Sequence, residues 1–245
     1  MGEKYNLKAI ITGLIFILIG IISILFDIFG IKTIRSIWIS IGCSLLASGI
    51  VVLLQSILLD RKEYNCAEEW GLEKIYETRS EKSKDSDENL EKAIHHLDII
   101  AFGLKSFRSM HTAKVDNVLR NGANVRILTM NPSKDNPFLK QREKEENEPE
   151  DQIRNSILDL VRWANELNKK GYKGTIEVKG YKCMTLDFYW RVDNDLYIGP
   201  YWYNVGSQQT ITYRFSRGKL AFDLYTDYFE KLWENKDNTI RLTEA

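Results

Sequence analysis

The chain is poor in cysteine and carries no excess charge of either sign. Its three cysteines, Cys43, Cys66 and Cys183, are scattered and odd in number, so they predict neither a disulfide framework nor a cysteine metal site. That usage is typical of a reducing, cytosolic environment. The 34 basic residues balance the 34 acidic ones, which argues against bulk attraction to nucleic acid. We therefore expect no metal, no cofactor and no specific nucleic-acid partner.

Two long apolar runs stand at the start of the chain. Ala9 to Phe26 and Ser36 to Leu59 contain no charged residue, and Asp27 to Arg35 forms a short polar connection between them. A helix needs about 20 apolar residues to cross the hydrocarbon core of a bilayer, so each run is long enough. A cleaved signal peptide fits poorly, because no small-residue cleavage site precedes polar sequence. The pattern predicts a two-helix transmembrane hairpin over residues 1–62, with the lipid bilayer as a partner.

Basic residues at the ends of these runs predict the orientation. Lys4, Lys8, Arg61 and Lys62 flank the outer ends, whereas Lys32 and Arg35 lie in the connection. Because basic residues favour the cytoplasmic side, this distribution predicts that both termini are cytoplasmic. We expect a multi-pass protein of the inner or plasma membrane with a cytoplasmic soluble domain.

A stripe of small residues runs along the second apolar segment. Its serines recur every fourth residue, at Ser36, Ser40, Ser44 and Ser48. Such a stripe allows another helix to approach closely. It would pack on the first span near Gly13 and Gly20, or it would associate copies of the chain.

The rest of the chain alternates between helix and strand patterns. Residues 63–88 are predicted as a juxtamembrane segment and linker. Asp60 to Arg79 would be a continuing helix or a short strand, and Ser80 to Glu88 would be a loop or linker, because it contains no apolar residue. The charged stretch from Pro137 to Asp151 is likewise predicted as a loop. Within a domain over residues 89–245, helices are expected at Asn89–Leu97, Phe107–Asn121, Gln152–Lys170 and Ala221–Glu234. Strands are expected at Asp98–Leu104, Asn124–Met130, Thr175–Val178, Asp187–Val192, Leu196–Trp202 and Thr210–Phe215. This order predicts an α/β domain with a mixed sheet.

The stretch from Asp187 to Gln209 reads as two strands joined by a turn at Asp193, Asn194 and Asp195. The segment VDNDLYIG within it resembles the part of phospholipase D-like domains that carries their catalytic aspartate. The resemblance extends over about Leu72 to Trp233. In that family a His-x-Lys-x4-Asp motif supplies a nucleophilic histidine, a phosphate-binding lysine and the aspartate. With Asp193 aligned to the aspartate, Leu186 replaces the histidine and Phe188 replaces the lysine. The resemblance therefore implies a phospholipase D-like fold that has lost its catalytic residues.

Histidine is too scarce to restore the motif elsewhere. None of His95, His96 and His111 has a lysine two residues downstream. His111 is the weak candidate for a substitute nucleophile, because it lies in the first turns of a helix that follows a strand. For each of the three, a non-catalytic role is the favoured interpretation.

Polar residues near the predicted strand ends are candidates for binding a phosphate-bearing ligand. Lys105, Ser106 and Arg108 follow the first strand, where a helix N-terminus offers backbone N–H groups to an anion. Beyond the motif remnant, Tyr201 would stack a base, and Ser207, Gln208 and Thr210 would donate to a phosphate or a base edge. The alternatives are core packing for the tyrosine and a polar turn for the others.

Three functions remain open from the sequence. The first is a membrane sensor and effector that binds a nucleotide or another phosphate-bearing signal, similar to two-span effectors of bacterial antiphage signalling. The second is a structural module that only dimerises, and the third is a membrane-tethered phosphodiesterase with a non-standard site. A homo-oligomer fits all three, since a single phospholipase D-like half is often completed by a second copy.

Overall fold

The computed structural model describes residues 7–29, 35–105, 107–185 and 187–244. The chain divides into two compact units, Met1–Glu68 and Glu69–Ala245. The first is helical, and the second is built on a sheet.

Two apolar helices, α1 (Leu7–Phe29) and α2 (Arg35–Trp70), make up most of the first unit and meet along a glycine seam. A Cβ added at Gly49 would lie 2.9 Å from the carbonyl oxygen of Gly13, and one added at Gly42 would lie 2.9 Å from that of Gly20. The two backbones are therefore close enough that only glycine fits between them.

The predicted serine stripe lies outside this seam. Ser40, Ser44 and Ser48 are exposed, whereas Gly42 and Gly49 are buried. The side chain of Ser36 is outside the described residues. The expected intramolecular contact near Gly13 and Gly20 is therefore present, but glycines make it and serines do not.

The outward surfaces of these helices remain apolar. Large side chains such as Leu18 and Leu58 are 58% and 64% exposed. Within the described residues, one stretch, Ile39–Leu58, is long and apolar enough to cross a membrane, and Ala9–Leu25 is a shorter apolar helix. The prediction of two spans is thus supported for one helix, and residues 30–34 of the predicted connection lie outside the described residues.

An eight-stranded mixed sheet forms the centre of the second unit, with strand order β1-β7-β6-β5-β2-β3-β4-β8. The pairs β2–β3 and β3–β4 are parallel, and the other neighbouring pairs are antiparallel. The strands are β1 (Leu72–Tyr76), β2 (His96–Ile100), β3 (Asn124–Met130), β4 (Ile176–Tyr181), β5 (Asp187–Val192), β6 (Asp195–Pro200), β7 (Thr212–Ser216) and β8 (Thr239–Arg241). This confirms a mixed α/β fold.

Helices cover both faces of the sheet. Apolar side chains of three helices pack on one face with Ile99, Ile127 and Trp190, and the last helix packs on the other face with Leu128 and Tyr189. The alternation of core residues along each strand follows from the period of two in β-structure. The helices of this unit are α3 (Arg79–Glu91), α4 (Phe107–Arg120), α5 (Pro137–Glu145), α6 (Gln152–Asn168) and α7 (Leu220–Glu234).

Two predictions from polar composition are wrong. The loop or linker expected at Ser80 to Glu88 lies within α3, and the expected loop at 137–151 contains α5. Both helices are mostly polar but bury one side, so tertiary contacts stabilise them in place of an apolar stripe. The helix expected over Asn89–Leu97 is also wrong at its end, since α3 stops at Glu91 and β2 begins at His96.

The hairpin of β5 and β6 forms where the sequence predicts it. Asp193 adopts a positive φ of 47° in the turn and its carboxylate accepts hydrogen bonds from the N–H groups of Ile94, His95 and His96 at 2.8–2.9 Å. The carboxylate thereby joins the hairpin to the start of β2.

Candidate functional site

A cavity of about 640 Å³ opens at the sheet edge where β2 and β6 end. The chain after β2 lines one side, from Ala101 to Lys105, and the first turns of α3 and α4 line others. This is the usual place for a ligand in an α/β sheet, outside the carboxyl ends of parallel strands.

Arg79, the first residue of α3, is 3% exposed in the cavity wall. Its Nη2 donates to Thr210 Oγ1 at 3.0 Å, while its Nε has no hydrogen-bond partner among the described residues. The guanidinium lies 4.2 Å from the ring centroid of Phe188 and 4.8 Å from that of Tyr201. Burial lowers the pKa of Arg79, but an arginine still carries its charge at neutral pH.

Lys82 lies one turn further along α3 and is 5% exposed. Its Nζ lies 4.1 Å from the ring centroid of Trp190 and 5.0 Å from that of Phe188, and donates to Ser86 Oγ at 3.4 Å. Burial lowers the pKa of Lys82 to about 7, and repulsion by Arg79 acts in the same direction. Among the described residues, neither cation has a carboxylate within ion-pair distance. Glu146 raises the pKa of Arg79 and Asp87 raises that of Lys82, but each carboxylate is paired with another cation, Arg142 and Lys114 respectively.

His111 lines the cavity from α4 and stacks at a tilt against Phe107 and Trp190. Its Nδ1 lies 3.6 Å from Asp87 Oδ1, too far for a hydrogen bond, and Asp87 also pairs with Lys114 at 3.2 Å. Burial lowers the pKa of His111 more than Asp87 raises it, so the imidazole is neutral at pH 7.

Ion pairs and hydrogen bonds connect α5 to the loop after β6 at the mouth of the cavity. Arg142 of α5 pairs with Glu146 and donates to the backbone oxygens of Trp202 and Val205. Glu146 also accepts a hydrogen bond from Ser207 Oγ. Helix α5 therefore fixes the position of the loop after β6, which forms one wall of the cavity.

Several predicted residues do come together in this cavity. Lys105, His111, Tyr201, Ser207 and Gln208 all line it. Lys105 pairs with Glu148 at 3.0 Å, and Ser207 is bonded to Glu146. The ring of Tyr201 stacks on Phe102 with centroids 3.9 Å apart, so this face is not open to a base.

The remaining predicted residues lie elsewhere. Arg108 pairs with Asp159 and does not belong to the cavity lining. Thr210 is buried behind Arg79, where its hydroxyl accepts from the guanidinium. Asp193 lies at the opposite edge of the sheet, at the far end of β5. Ser106 and Leu186 lie outside the described residues.

Phe188 occupies the cavity wall. Its ring is contacted by Arg79 and Lys82, two cations that the sequence analysis did not select. The sequence does not single them out, because the polar composition of Ser80 to Glu88 predicts a loop or linker there. The available signals were the helical spacing of Arg79, Lys82, Ser86 and Leu90, and a Thr78-x-x-Glu81 capping pattern at its start.

Among the described residues, no group of three or more acidic, histidine or cysteine side chains is arranged to hold a metal ion. The cations and hydroxyl groups of this cavity suit an anion, since arginine and lysine are donors only.

Comparison with known proteins gives structural matches only. No protein-family model and no curated protein matches the chain. TrmBL2, an archaeal chromatin protein whose structure shows a novel mode of DNA binding, matches with a TM-score of 0.41 and 14% identity over 78% of this chain and 69% of TrmBL2. NucT from Helicobacter pylori matches with a TM-score of 0.38 and 10% identity over 66% of this chain and 94% of NucT.

A phosphatidylserine synthase from Haemophilus influenzae Rd KW20 matches with a TM-score of 0.46 and 12% identity. The match covers 68% of this chain and 38% of the synthase. All three TM-scores are below 0.5, so these similarities assign neither a family nor an activity, and the phospholipase D-like family stays a prediction from the sequence.

Proposed function

We propose that this protein is a membrane-anchored receptor that binds a phosphate-bearing small molecule, such as a nucleotide signal, in the cavity at the end of β2. The observation that carries the proposal is the pair of buried cations, Arg79 and Lys82, without a carboxylate partner among the described residues. Burying uncompensated charge is unfavourable, and the charge is commonly neutralised by a partner. A phosphate group supplies the negative charge and acceptor oxygens that these side chains lack.

Binding without cleavage is the second part of the proposal. Phe188 lies in the wall where the phospholipase D-like motif has its lysine, and a phenyl ring neither attacks nor protonates a phosphate. The contrasting function is a phosphodiesterase that uses His111, which is in the cavity and neutral at pH 7. Hydrolysis of a bound phosphodiester that is lost in His111→Ala would favour that function.

The first unit is proposed to anchor the protein in the membrane and to produce its response to the ligand. Its outward apolar surfaces and glycine seam support a two-span hairpin. The excess of basic residues at its outer ends favours a cytoplasmic position for both termini and the second unit. On ligand binding the hairpin would associate or perturb the bilayer, in the manner of the antiphage effectors that the sequence resembles. Fusions of alkaline phosphatase and of green fluorescent protein to the C-terminus test the orientation, and fluorescence without phosphatase activity is expected.

Self-association is part of the same proposal, because a single phospholipase D-like half is often completed by a second copy. Light scattering of the detergent-solubilised chain, with and without ligand, measures it. We expect a dimer or larger assembly, and a monomer under both conditions would contradict self-association.

A thermal-shift screen of the full-length chain in dodecyl maltoside tests ligand binding. The panel holds linear and cyclic nucleotides, inorganic phosphate and glycerophospho headgroups. Because a ligand that binds only the folded state stabilises it by mass action, a concentration about 100-fold above the dissociation constant adds about 2.7 kcal/mol. Lys84→Met, which removes an exposed cation of the same helix outside the cavity lining, is the matched control for Arg79→Met. A shift that is lost only in Arg79→Met is expected, and no shift with any compound would contradict the proposal.

A further inference from the structure

The charges that line the cavity do not cancel. Glu146 pairs with Arg142, and Glu148 pairs with Lys105, so both acidic groups already have cations. The net charge left facing the cavity is that of Arg79 and Lys82.

Both remaining cations contact the same aromatic ring and lie one helical turn apart on α3. The guanidinium of Arg79 and the Nζ of Lys82 lie 4.2 Å and 5.0 Å from the ring centroid of Phe188. A compact anionic group that contacts both side chains is the simplest way to neutralise them together. Since Arg79 stays charged, the cavity carries about one positive charge when Lys82 is neutral and two when Lys82 is protonated.

The charged and titratable groups around Lys82 determine how strongly it holds its proton before a ligand binds. On its own helix these are Arg79 and Asp87, on α4 they are His111 and Lys114, and on β6 there is Tyr197. Asp87 favours the protonated form but is shared with Lys114. Tyr197 stays neutral because burial raises its pKa to about 12, and His111 stays neutral because burial lowers its pKa. A buried lysine whose pKa is near 7 is only partly charged at physiological pH.

We infer that the ligand presents a dianionic phosphomonoester to this cavity and that Lys82 takes up one proton as the ligand binds. The inference rests on the proposed function, and it adds the charge of the ligand and the reason that the cavity prefers a monoester to a diester. A dianion neutralises Arg79 and protonated Lys82 together. A phosphodiester carries one charge and balances Arg79 alone, so it binds without the second charge-assisted contact that a dianion makes with protonated Lys82, and the cavity favours the monoester.

Matched ligands and a charge-fixed variant test this inference. Isothermal titration calorimetry on the full-length chain in dodecyl maltoside compares adenosine 5′-monophosphate with adenosine 3′,5′-cyclic monophosphate. Titrations at about pH 8 in buffers of different ionisation enthalpy measure the protons exchanged. Inorganic phosphate and glycerol phosphate serve as probes if neither adenosine compound binds.

For the wild-type chain we expect uptake of close to one proton for each monoester bound. The affinity should fall by up to about tenfold per pH unit above pH 7.5. The reason is that a growing fraction of Lys82 is neutral in the free protein and must take up a proton before it can pair with the ligand. The monoester should bind at least tenfold more tightly than the cyclic diester near pH 7. In Lys82→Arg the affinity should be retained and the proton uptake lost.

Lys82→Met provides a second variant if the arginine does not fit. It should bind the monoester at least tenfold more weakly and without pH dependence between about pH 7.5 and 9. Binding with no proton uptake, or uptake that persists in Lys82→Arg, overturns the inference and leaves the proposed function standing. Absence of binding by every phosphate compound overturns both.

Discussion

At the residue scale, Lys82 is a side chain whose burial costs stability in the free protein. Its Nζ is enclosed by aromatic rings and has no ion-pair partner among the described residues. Cation–π contacts offset part of the desolvation of the ammonium group. Such a residue is expected at a binding site, where function and not stability determines which amino acid is present.

Replacing Lys82 with methionine should stabilise the protein. The wild-type pKa is lower in the folded state than in the unfolded state, so the folded form binds the proton less tightly. The cost is complete below about pH 7 and disappears as pH rises toward about 10.4, the unfolded value. We expect Lys82→Met to raise the free energy of unfolding by about 1–2 kcal/mol at pH 6 and by less at pH 9.

Thermal unfolding followed by near-ultraviolet circular dichroism measures this difference. Lys84→Met, an exposed lysine of the same helix, is the control and should change little. A Lys82→Met variant that is less stable than wild type at pH 6 would show that the lysine has a stabilising partner.

The carboxylate of Asp193 caps the backbone N–H groups at the start of β2 and so anchors the turn between β5 and β6. Burial raises the pKa of Asp193, but hydrogen bonds from the N–H groups of Ile94, His96 and His95 outweigh it, and the pKa is lowered overall. Asp193→Asn should reduce the free energy of unfolding by about 1–3 kcal/mol at pH 7, because the amide is uncharged and keeps only one acceptor oxygen for the three backbone donors.

The pH dependence of unfolding provides a second measurement on Asp193. A lowered carboxyl pKa contributes stability above the unfolded value of about 3.9, which is lost as pH falls through the folded value. The wild type should therefore lose more stability below pH 4 than Asp193→Asn. Asp227→Asn, a substitution in an exposed ion pair, is the control. Equal stability of Asp193→Asn and wild type at pH 7 would contradict the capping role.

At the element scale, α3 is the helix on which the site depends. Thr78 caps its N-terminus by accepting a hydrogen bond from the N–H of Glu81, and Arg79 and Lys82 follow within the first turns. Thr78→Ala should destabilise the second unit by about 0.5–2 kcal/mol and weaken ligand binding, because the cations lose their fixed position.

Thr78→Ser keeps the capping oxygen and should leave both properties near the wild-type values. Thermal unfolding and a titration with the same ligand measure the two effects. Unchanged stability of Thr78→Ala would mean that packing, and not the cap, fixes the start of α3.

The elements that the sequence predicted are those whose core positions are apolar. Strands β3 and β5 and helix α4 have apolar residues at regular spacing, so their bounds agree with the predicted ones to within a residue. Helices α3 and α5 were missed because much of what they bury is polar or charged, including Lys82, Arg142 and Glu143. A search for apolar residues at helical spacing cannot identify a helix whose buried side chains are charged. For the same reason the sequence found Lys105 and Ser207 at the rim but not the cations inside.

The seam between α1 and α2 gives a prediction for the first unit. A side chain at Gly49 would approach Ile17 Cγ1 within 2.8 Å and the Gly13 oxygen within 2.9 Å, so Gly49→Leu forces the helices apart. We expect a cost of about 1–3 kcal/mol, seen as a lower melting temperature of the chain in detergent.

Ile50→Leu, on the exposed surface next to the seam, is the control and should melt like wild type. Fluorescence-detected size-exclusion chromatography after heating measures both variants. A Gly49→Leu variant that melts like wild type would contradict a close seam.

At the scale of the whole molecule, the sequence already separates an apolar helical unit from an α/β unit. The structure moves the boundary to Glu69, because β1 pairs with β7 and α3 lines the cavity. The second unit therefore includes the residues once expected to form a linker. A truncation that begins at residue 89 would remove both cations of the site.

The central claim is that a phosphate-bearing anion binds between Arg79 and Lys82. Tungstate, a phosphate analogue with a strong anomalous signal, locates such a site directly in crystals of the full-length chain. We expect an anomalous peak within hydrogen-bonding distance of the Arg79 guanidinium and of Lys82 Nζ, absent in crystals of Lys82→Met. A cavity without a peak, in crystals that bind tungstate elsewhere or not at all, would show that no such anion binds between the two cations.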